Sequence, residues 1–356
     1  MTNTDRRGFM KKIAHVLTLL VALTTLVTTA NVNAAQSNGL GITPRKDYSV
    51  QPGKSISDTV YISNLSLSQD LQVDMRIIDF GAQNETGAPA LQLDENAAQT
   101  PWSLKPFITY PKTINIAKGK SAYVPISIKV PAEQGAGSYY GAIQYTAVNP
   151  ETKQKVNISA SSTTLVFLTV PGEANEQVNL KQFGAWQSSE DQTTGQFKNM
   201  FVGASPKELA YRIQNNGNVA EQPSGSILVK NMFGRTVQEI KDANPKRSLA
   251  LIGQTRRIQI CMKESVLNSQ DPQQATSQTK QAVCDDPGLW PGKYTAQVAL
   301  FYGLNGSNTQ ELQSTTSFWY FPWWSIVGSI LLVLIIIGMT FLIRRAFGNS
   351  RRRYRR

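Results

Sequence analysis

Along most of this chain apolar and polar residues alternate with a period of two. Between Ser55 and Asn64 (SISDTVYISN), Ile56, Val60 and Ile62 share one face while Thr59, Tyr61 and Ser63 share the other. Leu71, Val73, Met75 and Ile77 alternate with Gln72, Asp74 and Arg76, and Val124, Ile126, Ile128 and Val130 repeat the pattern within Ser121–Val130. Successive side chains of a strand point to opposite faces, so these runs predict half-buried strands with one face on a core. Turn residues divide them: Gln51-Pro52-Gly53, Lys118-Gly119-Lys120 and Gln134-Gly135-Ala136-Gly137. No amphipathic helix of useful length stands outside the two ends of the chain. The predicted fold class is all-β, built as antiparallel sandwiches.

The pattern occurs twice. GKSAYVPISIK (Gly119–Lys129) aligns without gaps on GQTRRIQICMK (Gly253–Lys263), Gly137–Ile143 on Gly292–Val298, and Val60–Asn64 on Tyr211–Asn215. The second pair places a tyrosine two residues after a turn glycine, as in the tyrosine corner of immunoglobulin-like folds. Two tandem immunoglobulin-like sandwiches follow, over 37–172 and 176–318, with a short seam at Pro171–Glu176 that predicts end-to-end, semi-rigid stacking. Between the paired motifs the first domain uses seven residues (130–136) and the second twenty-eight (264–291), which locates an insertion at 262–283. Its polar composition predicts a disordered excursion, with a binding loop as the alternative. Cys261 and Cys284, the only cysteines, bracket it, and in an oxidising compartment they predict a disulfide contributing roughly 3 kcal/mol.

Two stretches break the alternation. From Ser325 to Ile343 nineteen residues carry no charge, and at about 1.5 Å per residue a helix of that length crosses a hydrocarbon core of ~30 Å. A transmembrane helix is predicted over 324–343, with Trp319, Tyr320, Trp323 and Trp324 at its outer interface and Arg344 and Arg345 opening the basic tail 344–356. That asymmetry predicts a cytoplasmic C-terminus and a single-pass plasma-membrane protein with an extracellular ectodomain. Near the other end, Arg6, Arg7, Lys11 and Lys12 precede an apolar run from Ile13 to Val27, so 1–34 reads as a cleaved signal peptide. Its Arg6-Arg7 pair approximates a twin-arginine signal, and general and twin-arginine export both stay open. Almost no spacer separates the last strand from Trp323, which predicts that the second domain sits on the membrane surface.

These ends change the reading of the +12 net charge. Taking the four basic residues of the signal and the seven arginines of the tail from 36, and the one acid of the signal from 24, leaves 25 basic against 23 acidic residues. The ectodomain is nearly neutral, and no nucleic-acid partner is implied. The only histidine, His15, lies in the signal, which removes imidazole bases, histidine-dependent triads and histidine metal sites. Acidic pairs such as Asp94-Glu95, Glu190-Asp191 and Asp285-Asp286 are adjacent on loops rather than set across a cleft. The prediction is a non-enzyme without cofactor or metal. Aromatic density points instead to binding: Trp102, Phe107, Tyr110, Tyr139 and Tyr140 are candidates for a surface that grips a sugar or peptide chain. Core packing is the competing role of each, and of the adjacent Tyr139 and Tyr140 one must face inward.

The run Gly39–Pro44, then Val50–Gly53, Val60–Asn64, Asp79-Phe80, Trp102-Ser103, Pro111, Val130-Pro131 and Gly137–Tyr139, resembles the peptidoglycan-binding domain of the WxL-interacting proteins of Gram-positive bacterial surfaces. The order of signal, two β domains, one span and a basic tail is similar too. The resemblance covers roughly Gly39 to Val170 and implies a membrane-anchored scaffold or adhesin that binds peptidoglycan and another surface protein. The cysteine-bracketed insertion departs from the family's second domain. The competing class is an assembly factor or subunit of a secretion, pilus or surface-polymer complex that uses sheet edges for strand addition.

Overall fold

The computed structural model describes residues 39–94, 96–148, 163–189, 194–269, 279–303 and 310–350. The predicted signal peptide and the last arginines of the tail lie outside them. Domain one contains β1 (Leu40–Ile42), β2 (Arg45–Ser49), β3 (Ser55–Asn64), β4 (Leu71–Ile78), β5 (Phe80–Gln83), β6 (Ala88–Leu91), β7 (Ile108–Thr109), β8 (Thr113–Ile116), β9 (Ser121–Lys129), β10 (Gly137–Val148) and β11 (Thr163–Val170). A four-stranded sheet, β1-β3-β9-β7, faces a five-stranded sheet, β2-β11-β10-β4-β8. The alternating apolar residues meet between them: Val60, Ile62, Val124 and Ile126 from one sheet pack on Val73, Ile143, Tyr145, Val166 and Leu168 from the other. The chain switches sheets at Thr43-Pro44, so β1 pairs β3 antiparallel while β2 runs parallel to β11.

Domain two contains β12 (Val178–Ser188), β13 (Gly195–Phe197), β14 (Met200–Val202), β15 (Glu208–Asn215), β16 (Ser224–Asn231), β17 (Thr236–Ile240), β18 (Thr255–Cys261), β19 (Glu264–Ser269), β20 (Thr279–Cys284), β21 (Gly292–Tyr302) and β22 (Gln310–Phe321). Its sheets are β13-β12-β15-β18 and β14-β22-β21-β16-β17; the second reproduces the five-stranded order of domain one, and in the first β12-β15-β18 stand where β1-β3-β9 do, with the fourth strand on the opposite edge. Even the parallel pairing recurs, between β14 and β22.

The repeated motifs occupy equivalent places, and the same side chains hold them. Asn64 and Asn215 end β3 and β15, and both are buried. The Asn64 amide donates to the carbonyls of Gln69 (2.9 Å) and Ile116 (3.3 Å) and accepts from the Ser66 N–H. The Asn215 amide donates to Val219 (2.6 Å) and Ala250 (2.8 Å) and accepts from the Gly217 N–H. Gly119 and Gly253 open the turns into β9 and β18 at φ of 64° and 73°, a left-handed backbone that glycine adopts without steric cost. Tyr139 donates to the Gly135 carbonyl and Tyr294 to the Trp290 carbonyl, which makes a tyrosine corner in each domain.

The insertion forms a hairpin at its base, and the rest of the predicted excursion, 270–278, lies outside the described residues. β19 and β20 form an antiparallel ladder from Glu264↔Cys284 to Ser269↔Thr279. Cys261 and Cys284 form the disulfide, with Cα atoms 5.0 Å apart, and so tie the hairpin to the end of β18.

Only Pro322 separates β22 from the helix α1, Trp323–Ser350. Its first 23 residues are long and apolar enough to cross a membrane, and from Val327 onward they are exposed. The aromatic run before it is not all interfacial. Phe318 and Tyr320 point into the core of domain two, while Trp319 and Phe321 stack on the outside of β22 with centroids 5.6 Å apart. Tyr320 is therefore a core residue, against the sequence expectation, because β22 keeps its alternation to its last residue. Trp323, Trp324, Arg344 and Arg345 lie on α1 itself and are exposed.

Candidate functional site

The five candidate aromatics share no exposed groove. Phe107 is buried and packs edge-on against Tyr139 at 4.9 Å, both on the core of domain one. Tyr110 uses its hydroxyl to accept the Ile77 N–H at 2.9 Å. Tyr140, fully buried, leaves β10 by the opposite face and stacks with Trp102 at 5.8 Å. Burial pushes its phenol pKa above the ordinary value. The exposed face predicted for Phe107 and Tyr140 is thus corrected: one seals the core, and the other belongs to a second apolar layer.

That layer is the seam between the domains. The outer face of the five-stranded sheet of domain one carries Ile78, Tyr140, Ala142, Leu165 and Phe167, Phe80 of β5 joins them, and domain two closes on this layer with Ala220, Leu249, Leu251 and Ile252. Asp79, buried beside Phe80, shapes the Trp102 loop by accepting from the Ser103 hydroxyl (2.6 Å) and the Thr100 N–H (3.1 Å). Main-chain bonds reinforce the contact. Ser138 N–H donates to Asn218 O (3.0 Å), and Ala220 N–H donates to the Ser138 hydroxyl (2.9 Å). The linker is pinned by Asn216 N–H to Gln177 O and Asn218 N–H to Asn175 O. Gly217 is required there, because a Cβ would sit 2.2 Å from the Asn175 oxygen.

Charged groups clasp the rim. A single 3-10 turn, Asn84–Thr86, between β5 and β6 brings Glu85 to 2.7 Å from Arg212 and 3.9 Å from Arg257. Arg257 lies over the buried Trp186 ring at 4.5 Å, and Arg212 over Phe197 at 5.2 Å. Arg256 donates to the Thr86 carbonyl, and Gln254 accepts the Ala82 N–H. Burial lowers the pKa of Arg256, helped by the charge of Arg257; burial also lowers that of Arg257, against the pull of Glu85. Beside this clasp is a cleft of about 600 Å³ whose lining includes Gln83, Asn84, Lys246, Ser248, Arg256 and Arg257. These arginines make the domain contact itself. β18 ends its sheet, and the Asn84–Thr86 turn lies against it, so that sheet edge of domain two is partly covered.

Glu221 sits buried at the same seam, bridged to Ala250 through both main-chain groups. Burial first, and then Glu176 of the linker, pushes its pKa up to about 7. Among the described residues no three His, Cys, Asp or Glu side chains converge on a common point. Asp94 accepts the Asn96 N–H, Asp285 pairs with Lys263 at 3.5 Å and Asp286 accepts the Ser205 hydroxyl. Glu95, Glu190 and Asp191 lie outside the described residues.

The stacking is head to tail. The tyrosine-corner end of domain one rests on the Asn215–Asn218 loop of domain two, and the tyrosine-corner end of domain two leads into α1. The loop of domain one equivalent to Asn215–Asn218 is Asn64–Leu67, and it forms the opposite, distal end. There Leu65 and Leu67, 47% and 68% exposed, stand at the places of Asn216 and Asn218, of which Asn218 bonds to domain one in the second copy.

No family model and no curated protein matches the chain. Among solved structures it is similar to a chain of the chaperone–tip adhesin complex of CFA/I fimbriae biogenesis (11% identity, 78% of this chain and 98% of that one, TM-score 0.36). It is also similar to the E. coli chaperone DraB (12%, 78% and 98%, TM-score 0.31) and to a PapD-like domain of human CEP192 (10%, 41% and 94%, TM-score 0.27). At these scores the likeness bears on neither partner nor mechanism.

Proposed function

We propose that the protein is a non-catalytic, membrane-anchored scaffold of the cell surface that holds another surface protein at the distal end of domain one. The observation that carries this reading is the repeated end-to-end contact. In domain two the Asn215–Asn218 loop receives a neighbouring sandwich, and its counterpart in domain one presents Leu65 and Leu67 to solvent. Exposed leucines on a loop whose copy is a docking surface favour a protein partner over a soluble ligand. The seam and the single-residue spacer before α1 hold that end at a set height above the bilayer. Binding of peptidoglycan, implied by the resemblance to WxL-interacting proteins, belongs to the same reading as a second ligand.

The test places a photo-crosslinking residue at position 67 or, as control, at Lys181, in full-length protein in its native membrane. A discrete protein adduct at 67 and none at 181 is expected. Equal yields at both positions, or none at 67, would contradict the partner site. In parallel, purified ectodomain is mixed with insoluble peptidoglycan; retention no greater than that of an unrelated sandwich protein would remove wall binding.

A further inference from the structure

The end of domain two from which α1 departs carries an apolar rim. β16 ends at Asn231 opposite Tyr294, β21 begins at Gly292 opposite Tyr320, and β14 ends at Val202 opposite Phe321. The β16–β17 turn, the loop before β21 and the start of α1 are therefore neighbours. The turn is tightly built: Asn231 accepts the N–H groups of Phe233 and Arg235 on its side-chain oxygen and that of Gly234 on its carbonyl, with Gly234 at φ of 78°. At its tip, where polar residues are the ordinary choice, stand Met232 and Phe233, the latter 85% exposed. Trp290 is 74% exposed, and its ring meets Trp324 of α1 edge-on at 6.2 Å. The tyrosine corner holds its backbone in place, Tyr294 donating to the Trp290 carbonyl at 2.7 Å. Arg235 and Lys293, both exposed, flank the rim.

We propose that this rim is a second membrane contact: Phe233, Met232 and Trp290 insert into the interfacial layer of the leaflet that α1 enters, with Arg235 and Lys293 against lipid phosphates. The occupant is a bilayer because the rim is continuous with the helix, one tryptophan of each being in ring contact. Aromatic rings with a polar edge favour the headgroup–acyl boundary, and cations beside them are attracted to anionic lipid. A rigid turn can penetrate without refolding. A helix alone leaves the ectodomain free to swivel about Pro322, whereas two further insertion points on one rigid sandwich fix its face toward the membrane. The inference rests on the reading of α1 as a membrane span.

The test uses the full chain reconstituted in vesicles of phosphatidylcholine and phosphatidylglycerol. A nitroxide is placed on Phe233→Cys, on Lys241→Cys at the far end of β17, or on Ile335→Cys within α1; the paired Cys261 and Cys284 do not react. Accessibility to oxygen, which concentrates in lipid, is compared with accessibility to a nickel chelate, which stays in water. The expected result is an oxygen preference at 233 and 335 and a nickel preference at 241. Oxygen preference at 335 with nickel preference at 233 overturns the second contact and leaves the span intact. Nickel preference at 335 overturns both. Low access to either reagent at 233 means that protein, such as a second copy, covers the rim, and also overturns the proposal.

Discussion

Asn64 and Asn215 show how much one side chain can fix. Each ends a strand buried and satisfies one carbonyl and one N–H of its own loop and one carbonyl of a distant segment, Ile116 or Ala250. Replacing Asn64 by Ala leaves those groups without partners in a dry site, at about 1–3 kcal/mol for each unsatisfied group. Asn64→Ala should therefore lower the unfolding free energy of the protein by roughly 3 kcal/mol, and Asn215→Ala by a similar amount, measured by urea denaturation. Glu221 works in the other direction. Between pH 4.5 and about 7 the folded chain keeps a proton there that the unfolded chain has released, so this site weakens the fold as pH rises. The loss is roughly 2–3 kcal/mol across that window. Glu221→Gln should raise the urea midpoint at pH 8 and leave it nearly unchanged at pH 4; a midpoint lowered at pH 8 would contradict the buried, raised-pKa carboxyl. The paired asparagines were legible in the sequence, because the motif repeats with its Asn in register. Trp186 was not. It stands among polar neighbours in QFGAWQSS, and what buries it is Arg257 from β18 and Phe197 from β13.

At the scale of elements, alternation marked β3, β4 and β9 correctly, since each has one face on a core. The seam was hidden because it depends on strands apolar on both faces. In Thr163–Val170 (TTLVFLTV) Val166, Leu168 and Val170 fill the sandwich, while Leu165 and Phe167 face domain two. A strand without alternation predicts a second layer, and that was the available signal. The same property misled the reading of Tyr140 as a ligand contact, while Phe107 is plain core: aromatic density alone separates neither a core nor an interface within the chain from a partner site. In the insertion, polar composition hid a hairpin whose pairing is set by the disulfide at its base and by main-chain bonds that composition does not report. Replacing both Cys261 and Cys284 by Ser should destabilise domain two by roughly 3 kcal/mol on the loop-entropy model. Hydrogen exchange that accelerates in β19 and β20 but not in domain one would locate the loss.

On the scale of the molecule, two sandwiches stand head to tail and lead into one helix long and apolar enough to cross a membrane. The apolar seam outweighs its charged rim. The Glu85–Arg212 pair is partly exposed, and such pairs contribute about 0–1 kcal/mol, whereas Leu251 is buried between the domains. Glu85→Gln should leave one cooperative unfolding transition, while Leu251→Asp, which places a charge in that layer, should split it into two by calorimetry. With strands of eight to twelve residues at about 3.3 Å each, a domain is roughly 30 Å tall, so the distal loop stands on the order of 60 Å above the bilayer. The central claim is that this height is fixed. Energy transfer from a fluorophore on Leu67→Cys to acceptors on lipid headgroups, in vesicles holding the full chain, tests it most directly. One narrow distance distribution near 60 Å, broadened by Leu251→Asp, is the predicted result; a wide distribution reaching down to the membrane surface in the unmutated seam would contradict it.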